Sequence, residues 1–169
     1  SNENISNEIR KNSLSILLGV YASGSTILSK TSFGLWISKD SGNSWILKRT
    51  SDGLGDDKVM DVYVAGSTIY AATIKGLSIS ADGGKTWVNK TKADGLGSDV
   101  VNGIYADGST IYAATEKGLS ISPDSGKTWV NKTKADGLGS DMVYAACVSD
   151  RTIYVSTSGG LSVGTIVFK

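Results

Sequence analysis

Several residue types on which enzymes and metal sites depend are missing or scarce in this chain. Its 169 residues include no histidine and a single cysteine, Cys147. The first absence excludes Ser-His-Asp and Cys-His catalysis and His-ligated zinc. The second excludes an intramolecular disulfide and a thiolate metal cluster. We therefore expect no metal or organic cofactor, and we expect Cys147 to be a small buried hydrophobic residue.

Neither sign of charge predominates, and no long apolar run is present. Lys and Arg number 17 and Asp and Glu 16, for a formal net charge of +1. This balance argues against a nucleic-acid partner. Without a stretch of about 18 apolar residues, we expect no membrane insertion. The 40 % content of hydrophobic residues predicts a folded domain rather than a disordered chain.

The chain does contain an internal repeat of 42 residues. Segments 76–101 and 118–143 are nearly identical, and the same spacing separates Trp45, Trp87 and Trp129. Four units without insertions account for 168 of the 169 positions. We predict one domain over 1–169, with an N-terminal arm at 1–12 and repeats at about 17–58, 59–100, 101–142 and 143–169.

Within each unit the hydrophobic pattern has a period of two residues, which is typical of half-buried strands. In the second unit the pattern predicts strands at about 59–64, 68–73, 77–81 and 86–91, separated by Gly and Asp turns. No segment keeps a helical period. Four short strands in each 42-residue unit are typical of one blade of a β-propeller.

One turn recurs in fixed form between the third and fourth predicted strands. Its pattern is S-x-D-x-G-x-[ST]-W, carried by Ser38, Asp40, Gly42, Trp45, Ser80, Asp82, Gly84, Trp87, Ser122, Asp124, Gly126 and Trp129. The pattern resembles the Asp-box, or bacterial neuraminidase repeat, of sialidases, sortilin-type receptors and secreted bacterial propellers. This resemblance implies a structural turn, away from any catalytic face. It also implies a secreted or extracellular setting.

The physical chemistry of these residue types fits a structural role. An Asp carboxylate accepts hydrogen bonds from backbone N–H groups of its own turn, and Gly adopts backbone conformations that other residues resist. The Trp ring packs between strands, and we expect its indole N–H to donate to a carbonyl. We therefore predict no catalytic residue among the Asp-box side chains.

The fourth unit departs from the pattern, because the chain after Val163 contains neither the Asp nor the Trp. We predict that the arm at 1–12 supplies the missing outer strand, since residues 3–8 lie 42 positions before 45–50. The predicted fold is all-β: a propeller of four four-stranded blades, closed by the N-terminal strand. The alternative is a half-ring of a dimeric eight-bladed propeller. Four units of 42 residues with a displaced N-terminal strand favour a ring closed within a monomer, with a homodimer as the alternative.

The loops that join successive units are rich in Asp and Gly and fall opposite the Asp-box turns. A ligand face formed by these loops would include Asp52, Lys75, Asp94, Asp99, Lys117, Asp136 and Asp141. Carboxylates in such a pattern bind sugar hydroxyls, a basic protein or Ca²⁺. The competing interpretation is that they are solvated turn residues.

Three functions remain open at this point. The first is a non-enzymatic module that presents the repeated loops to a protein or glycan. The second is a small sialidase-type glycan hydrolase, for which the resemblance implies an arginine triad. The chain has three arginines, but the pattern places Arg10 in the N-terminal arm, Arg49 in an outer strand and Arg151 in a turn of the fourth unit. The third is a structural assembly unit. The lack of a nucleophile–base pair favours the first, and we predict no enzymatic activity.

Overall fold

The computed structural model describes residues 17–165, so the predicted closing arm at 1–12 lies outside the described residues. Within that range the chain forms four antiparallel sheets in sequence order. The first contains β1 (Leu17–Ser23), β2 (Thr26–Thr31), β3 (Gly34–Ser38) and β4 (Ile46–Lys48). The second contains β5 (Val59–Ala65), β6 (Thr68–Thr73), β7 (Gly76–Ser80) and β8 (Val88–Lys90).

The remaining two sheets follow the same plan. The third contains β9 (Val101–Asp107), β10 (Thr110–Thr115), β11 (Gly118–Ser122) and β12 (Val130–Lys132). The fourth has three strands among the described residues, β13 (Val143–Ser149), β14 (Thr152–Thr157) and β15 (Gly160–Thr165). The all-β, propeller-like fold is therefore confirmed, and in the first three sheets each repeat unit supplies four strands in meander order.

Successive sheets pack face to face, and the core lies between them. Three apolar clusters join the first sheet to the second, the second to the third, and the third to the fourth. Equivalent leucines of the third strands, Leu35, Leu77 and Leu119, are at most 2 % exposed. Small residues such as Ala71 and Ala113 are fully buried and let neighbouring sheets approach closely.

Each connection between sheets contains a 3-10 turn that the sequence pattern did not predict. These turns span Thr50–Asp52, Lys92–Asp94 and Lys134–Asp136, and each is followed by a glycine with positive φ. They lie at the loop edge, the end of each sheet opposite the S-x-D-x-G-x-[ST]-W turns. Between residues 17 and 165, no helix is long and apolar enough to cross a membrane.

The first and fourth sheets are exposed on the faces that have no neighbouring sheet. Val20 in β1 is 64 % exposed and Leu161 in β15 is 67 % exposed. Cys147 in β13 is also exposed, so the prediction that it is buried was wrong. Its repeat counterparts Tyr63 and Tyr105 pack against inner strands of neighbouring sheets. The fourth sheet has no following sheet among the described residues to cover Cys147.

Candidate functional site

The S-x-D-x-G-x-[ST]-W turns, called the box turns below (38–45, 80–87 and 122–129), share one hydrogen-bond network. In the second box turn the Ser80 hydroxyl donates to Asp82 at 2.8 Å and accepts the Gly84 N–H at 2.7 Å. The Asp82 carboxylate also accepts the N–H and the hydroxyl of Thr86, at 2.9 and 2.7 Å. The Ser, Asp and Thr side chains of the motif are thus engaged within their own turn.

These hydrogen bonds hold the three aspartates in their ionised form. Donation from Ser44 lowers the pKa of Asp40 to about 2, and donation from Thr128 lowers the pKa of Asp124 to about 2. The Thr86 hydroxyl and N–H depress the pKa of Asp82 in the same way. A carboxylate with so low a pKa is a poor proton donor at neutral pH, so the box aspartates are unsuited to general acid catalysis.

The tryptophans of the box turns pack on the connection from the preceding sheet. Trp87 lies against Gly53, and Trp129 lies against Gly95. The expected indole hydrogen bond forms only in the first turn, where Trp45 Nε1 donates to the Gly42 carbonyl at 3.1 Å. For Trp87 and Trp129 the described residues supply no acceptor, so the prediction was wrong there. Contact with the glycines, rather than a hydrogen bond, positions these two rings.

The carboxylates predicted for the ligand face lie at the loop edge, where backbone N–H groups engage them. Asp94 accepts the Thr91 N–H at 2.9 Å, and Asp99 accepts the Lys92 N–H at 2.7 Å. The equivalent bonds are made by Asp52 to Arg49, Asp136 to Thr133 and Asp141 to Lys134. These aspartates therefore act as turn-capping groups. Only the carboxylate lone pairs that accept no backbone hydrogen bond are available to a ligand.

The lysines predicted for the same face differ in their surroundings. Lys75 forms an ion pair with Asp56 at 3.0 Å while its side chain stays 70 % exposed. Lys117 is exposed, and its backbone N–H donates to the Thr115 hydroxyl at 3.1 Å. Among residues 17–165, no three Asp, Glu or Cys side chains cluster in a way that could hold a metal ion. Calcium binding at this face stays an untested prediction.

One carboxylate without a counterpart in the other units links three sheets. Asp61 of β5 accepts the Ile104 N–H of β9 at 3.0 Å and lies 4.0 Å from the Lys30 ammonium of β2. Burial raises the pKa of Asp61 despite these contacts. Alignment of the four repeat units could have identified Asp61, because the equivalent positions hold the uncharged residues Gly19, Gly103 and Ala145.

The first and second connections are each fastened to the next sheet by a Ser and an Asn. The Gly55 N–H donates to the Ser78 hydroxyl oxygen at 2.9 Å, and Ser78 donates to Asn89 at 2.6 Å. The Asn89 amide then donates to the Gly53 carbonyl at 3.0 Å. The same three bonds recur one unit later through Gly97, Ser120, Asn131 and Gly95. An outer strand thus supplies both an Asn and a Trp to this junction.

Within residues 17–165 the junction between the third and fourth sheets has no outer strand, and a cavity of about 630 Å³ lies there. Apolar side chains of both sheets line the cavity, including Leu119, Ile153 and Val155, and Lys132 lies at its rim. Gly137 is the counterpart of the two glycines that contact Trp87 and Trp129, but no atom of the described residues lies within 4 Å of its added Cβ position. The cavity therefore lies where an outer strand and its tryptophan would be.

The free edge of β15 borders this cavity. Among the described residues β15 pairs only with β14, whereas β7 and β11 each pair on both edges. Ser162 still accepts the Gly139 N–H at 2.8 Å, as its counterparts do in the complete junctions. The sequence showed that the fourth unit lacks Asp and Trp, but only the structure shows that the result is a lined cavity.

The two described arginines of the sialidase alternative, Arg49 and Arg151, do not converge. Arg49 begins the first connection at the loop edge, and Arg151 lies in the turn between β13 and β14, at the opposite edge. Arg10 lies outside the described residues. The described part of the chain therefore brings together no arginine pair for a carboxylate.

Comparison with known proteins identifies a fold but no family. No family model matches the chain, and no curated protein matches it. The designed Ika4 protein matches with a TM-score of 0.71 at 11 % identity, over 91 % of this chain and 93 % of that one. The extracellular domain of the putative hybrid two-component system BT3049 from B. thetaiotaomicron matches with a TM-score of 0.77 at 21 % identity.

A third similar structure is YCF48 bound to D1 peptide, with a TM-score of 0.56 at 18 % identity over 85 % of this chain. The present chain spans 22 % of the BT3049 domain and 51 % of YCF48. All three identities lie below 25 %, so the likeness concerns the fold. The chain shares a propeller-like arrangement of sheets with an extracellular domain and with a protein solved with a bound peptide.

Proposed function

We propose that this protein is a non-enzymatic module that binds an extended segment of a protein partner at the free edge of β15. The observation that carries the proposal is the 630 Å³ apolar cavity beside a strand edge that pairs with no other described strand. Its volume is in the range of ligand-binding cavities. A strand edge supplies backbone hydrogen bonds, and the cavity supplies a pocket for a side chain, which together are the elements of strand addition.

The chain's own outer strands indicate which segment would fit. In the third sheet, Val130 pairs with Ile121 and Asn131 pairs with Ser120. The corresponding residues of β15 are Val163 and Ser162. We expect the partner strand to insert an aromatic side chain toward Gly137 and to place an amide or similar acceptor beside the Ser162 hydroxyl. The apolar lining favours a protein over a glycan, whose hydroxyls need polar partners.

Binding of a synthetic copy of the outer strand tests this proposal. The peptide KTWVNKT, which copies 127–133, is titrated into the full chain with fluorescence anisotropy as the readout. We expect saturable binding. Replacing the peptide's Trp by Ala should weaken binding by about tenfold or more, because buried aromatic anchors dominate such interfaces. A scrambled peptide of the same composition is the control.

A variant of the protein locates the site. Ser162→Ala should weaken binding of the peptide about fivefold, the effect of one lost hydrogen bond. Ser149→Ala, at the exposed end of β13, is the matched control and should bind as wild type does. Equal affinity of the Trp and Ala peptides, or of the wild type and Ser162→Ala, contradicts the proposal.

Three finer features belong to the same proposal. The box turns are Asp-boxes, the four sheets are propeller blades of 42 residues, and the protein works in an extracellular setting. The hydrogen-bond network of the box turns and the extracellular BT3049 neighbour support these features. The separation of Arg49 from Arg151 supports a non-enzymatic role. A fluorogenic sialoside assay tests that role: turnover that Arg151→Ala abolishes would contradict it.

A further inference from the structure

We propose that a second copy of this chain packs on the two uncovered end faces and closes a ring of two chains. The trailing end face is the face of the fourth sheet that carries Tyr154, Leu161 and Val163. The leading end face is the face of the first sheet that carries Val20 and the first box turn, in which Gly42 itself is buried. The interface uses a face of the fourth sheet, whereas the proposed function uses the free edge of β15 and the cavity; Val163 borders both. The contact between chains requires no bound peptide, so it does not depend on the proposed function.

Both end faces carry residues that are buried elsewhere in the repeat. Leu161 is 67 % exposed, whereas its counterparts Leu77 and Leu119 are at most 2 % exposed. Tyr154 is 37 % exposed, against 5 % for both Tyr70 and Tyr112. At the leading end, Val20 is 64 % exposed, against 5 % for Val62 and 6 % for Ile104. Apolar side chains at both ends are therefore exposed to solvent where a sheet would cover them.

The internal junctions show how the two faces fit together. Ile37 of the first sheet contacts Gly84 in the box turn of the second, and Ile79 contacts Gly126 one unit later. Val163 occupies the equivalent position on the trailing end face. Among the described residues the first box turn has no such neighbour, because the side chains near Gly42, Ile27 and Trp45, belong to its own sheet. Val163 would thus contact Gly42 of the partner subunit.

A row of aromatic rings on the first strands of successive sheets leads to the proposed contact between the two chains. Tyr21 and Tyr63 have ring centroids 5.3 Å apart, and Tyr63 and Tyr105 have centroids 5.2 Å apart. The next position in this row is Cys147, which is exposed. In the two-chain ring the thiol lies beside Tyr21 of the partner subunit. This arrangement makes Cys147 a reporter of the contact.

The occupant is a second copy because the two faces are complementary and residues 17–165 leave Val20 and Leu161 uncovered. Val20 and Leu161 are both exposed within one chain, so its own ends do not pack on each other. Each copy has one leading and one trailing end face. In a ring of two chains, each trailing face packs on the leading face of the partner, so two identical contacts bury all four faces. The sequence favoured a monomer; the end faces favour the homodimer alternative.

The test is the solution mass of the full chain by light scattering after size exclusion, over a range of concentrations. We expect a discrete particle of twice 17.6 kDa. Val20→Glu and Leu161→Glu should each give a monomer, since a charge then lies in an apolar contact. Both side chains are exposed in the single chain, so circular dichroism should show an unchanged fold. Reaction of Cys147 with a thiol reagent should be faster in both variants than in wild type.

Two control variants separate this contact from general surface effects. Val88→Glu and Val130→Glu change residues that are 58 % and 53 % exposed on outer strands, away from the end faces, and should leave the mass at twice the monomer value. A wild-type monomer at every concentration overturns the proposal. So does a ladder of growing masses, or a dimer that survives both end-face substitutions.

Discussion

At the scale of single residues, the box turns are organised by one carboxylate each. Asp124 accepts the Thr128 N–H at 2.8 Å and the Thr128 hydroxyl at 2.7 Å, and it accepts the Ser122 hydroxyl at 2.8 Å. Charged acceptors make stronger hydrogen bonds than neutral ones. The charge of this carboxylate is therefore part of what holds the turn, and the stability of the protein depends on its ionisation.

We expect Asp124→Asn to lower the melting temperature at pH 7 and to lower it less in acid. The pKa of Asp124 falls from an ordinary value of 3.8 to about 2 on folding. Its stabilising effect is therefore complete above pH 3.8 and is lost as the pH falls through about 2. Melting curves of wild type and variant at pH 7, 4, 3 and 2 should converge. The exposed Asp107→Asn is the control, and a constant difference across this range would contradict the explanation.

A second residue-scale prediction concerns Gly118, between β10 and β11. Its φ is +117°, and an added Cβ would overlap the carbonyl oxygen of Lys132. Gly118→Ala should therefore destabilise the fold by about 3 kcal/mol or more. Gly108 has φ of +56° with open space around it, so Gly108→Ala should cost only about 1 kcal/mol. Urea denaturation compares the two, and equal losses would argue against the close contact.

At the scale of elements, the sheets are held together by the leucine that each third strand places between them. Leu119 of β11 is 2 % exposed and belongs to the cluster between the third and fourth sheets. Leu119→Ala should cost about 2–5 kcal/mol of unfolding free energy. Val130→Ala, on the exposed outer strand β12, should cost less than about 0.5 kcal/mol. Similar losses for both would show that the core does not lie between the sheets.

The sequence pattern predicts the strands well because alternation and turn residues act locally. The strands predicted at 59–64 and 68–73 match Val59–Ala65 and Thr68–Thr73. The sequence pattern did not predict the 3-10 turns, because three residues are too few to show a hydrophobic period. The roles of Asp94 and Asp99 as turn caps depend on backbone geometry that spacing alone does not reveal. The cavity depends on the meeting of two sheets, which no single segment encodes.

At the scale of the whole molecule, residues 17–165 form a row of nearly equal junctions, of which the last has no described outer strand. Two complete junctions join Gly53 to Asn89 and Gly95 to Asn131, at 3.0 Å each. The third retains Ser162 but has no described outer strand on β15. In a repeat protein each junction stabilises its neighbours, so completing the last one with an added strand should stabilise the fourth sheet specifically.

Hydrogen exchange of the full chain, with and without the KTWVNKT peptide, is the most direct measurement of this claim. At saturating peptide we expect the backbone N–H groups of 160–165 to exchange more slowly, because the added strand bonds to the free edge of β15. The amides of 76–80, already paired on both edges, should exchange as before. Protection at 76–80 or at the loop edge, with none at 160–165, would contradict the account.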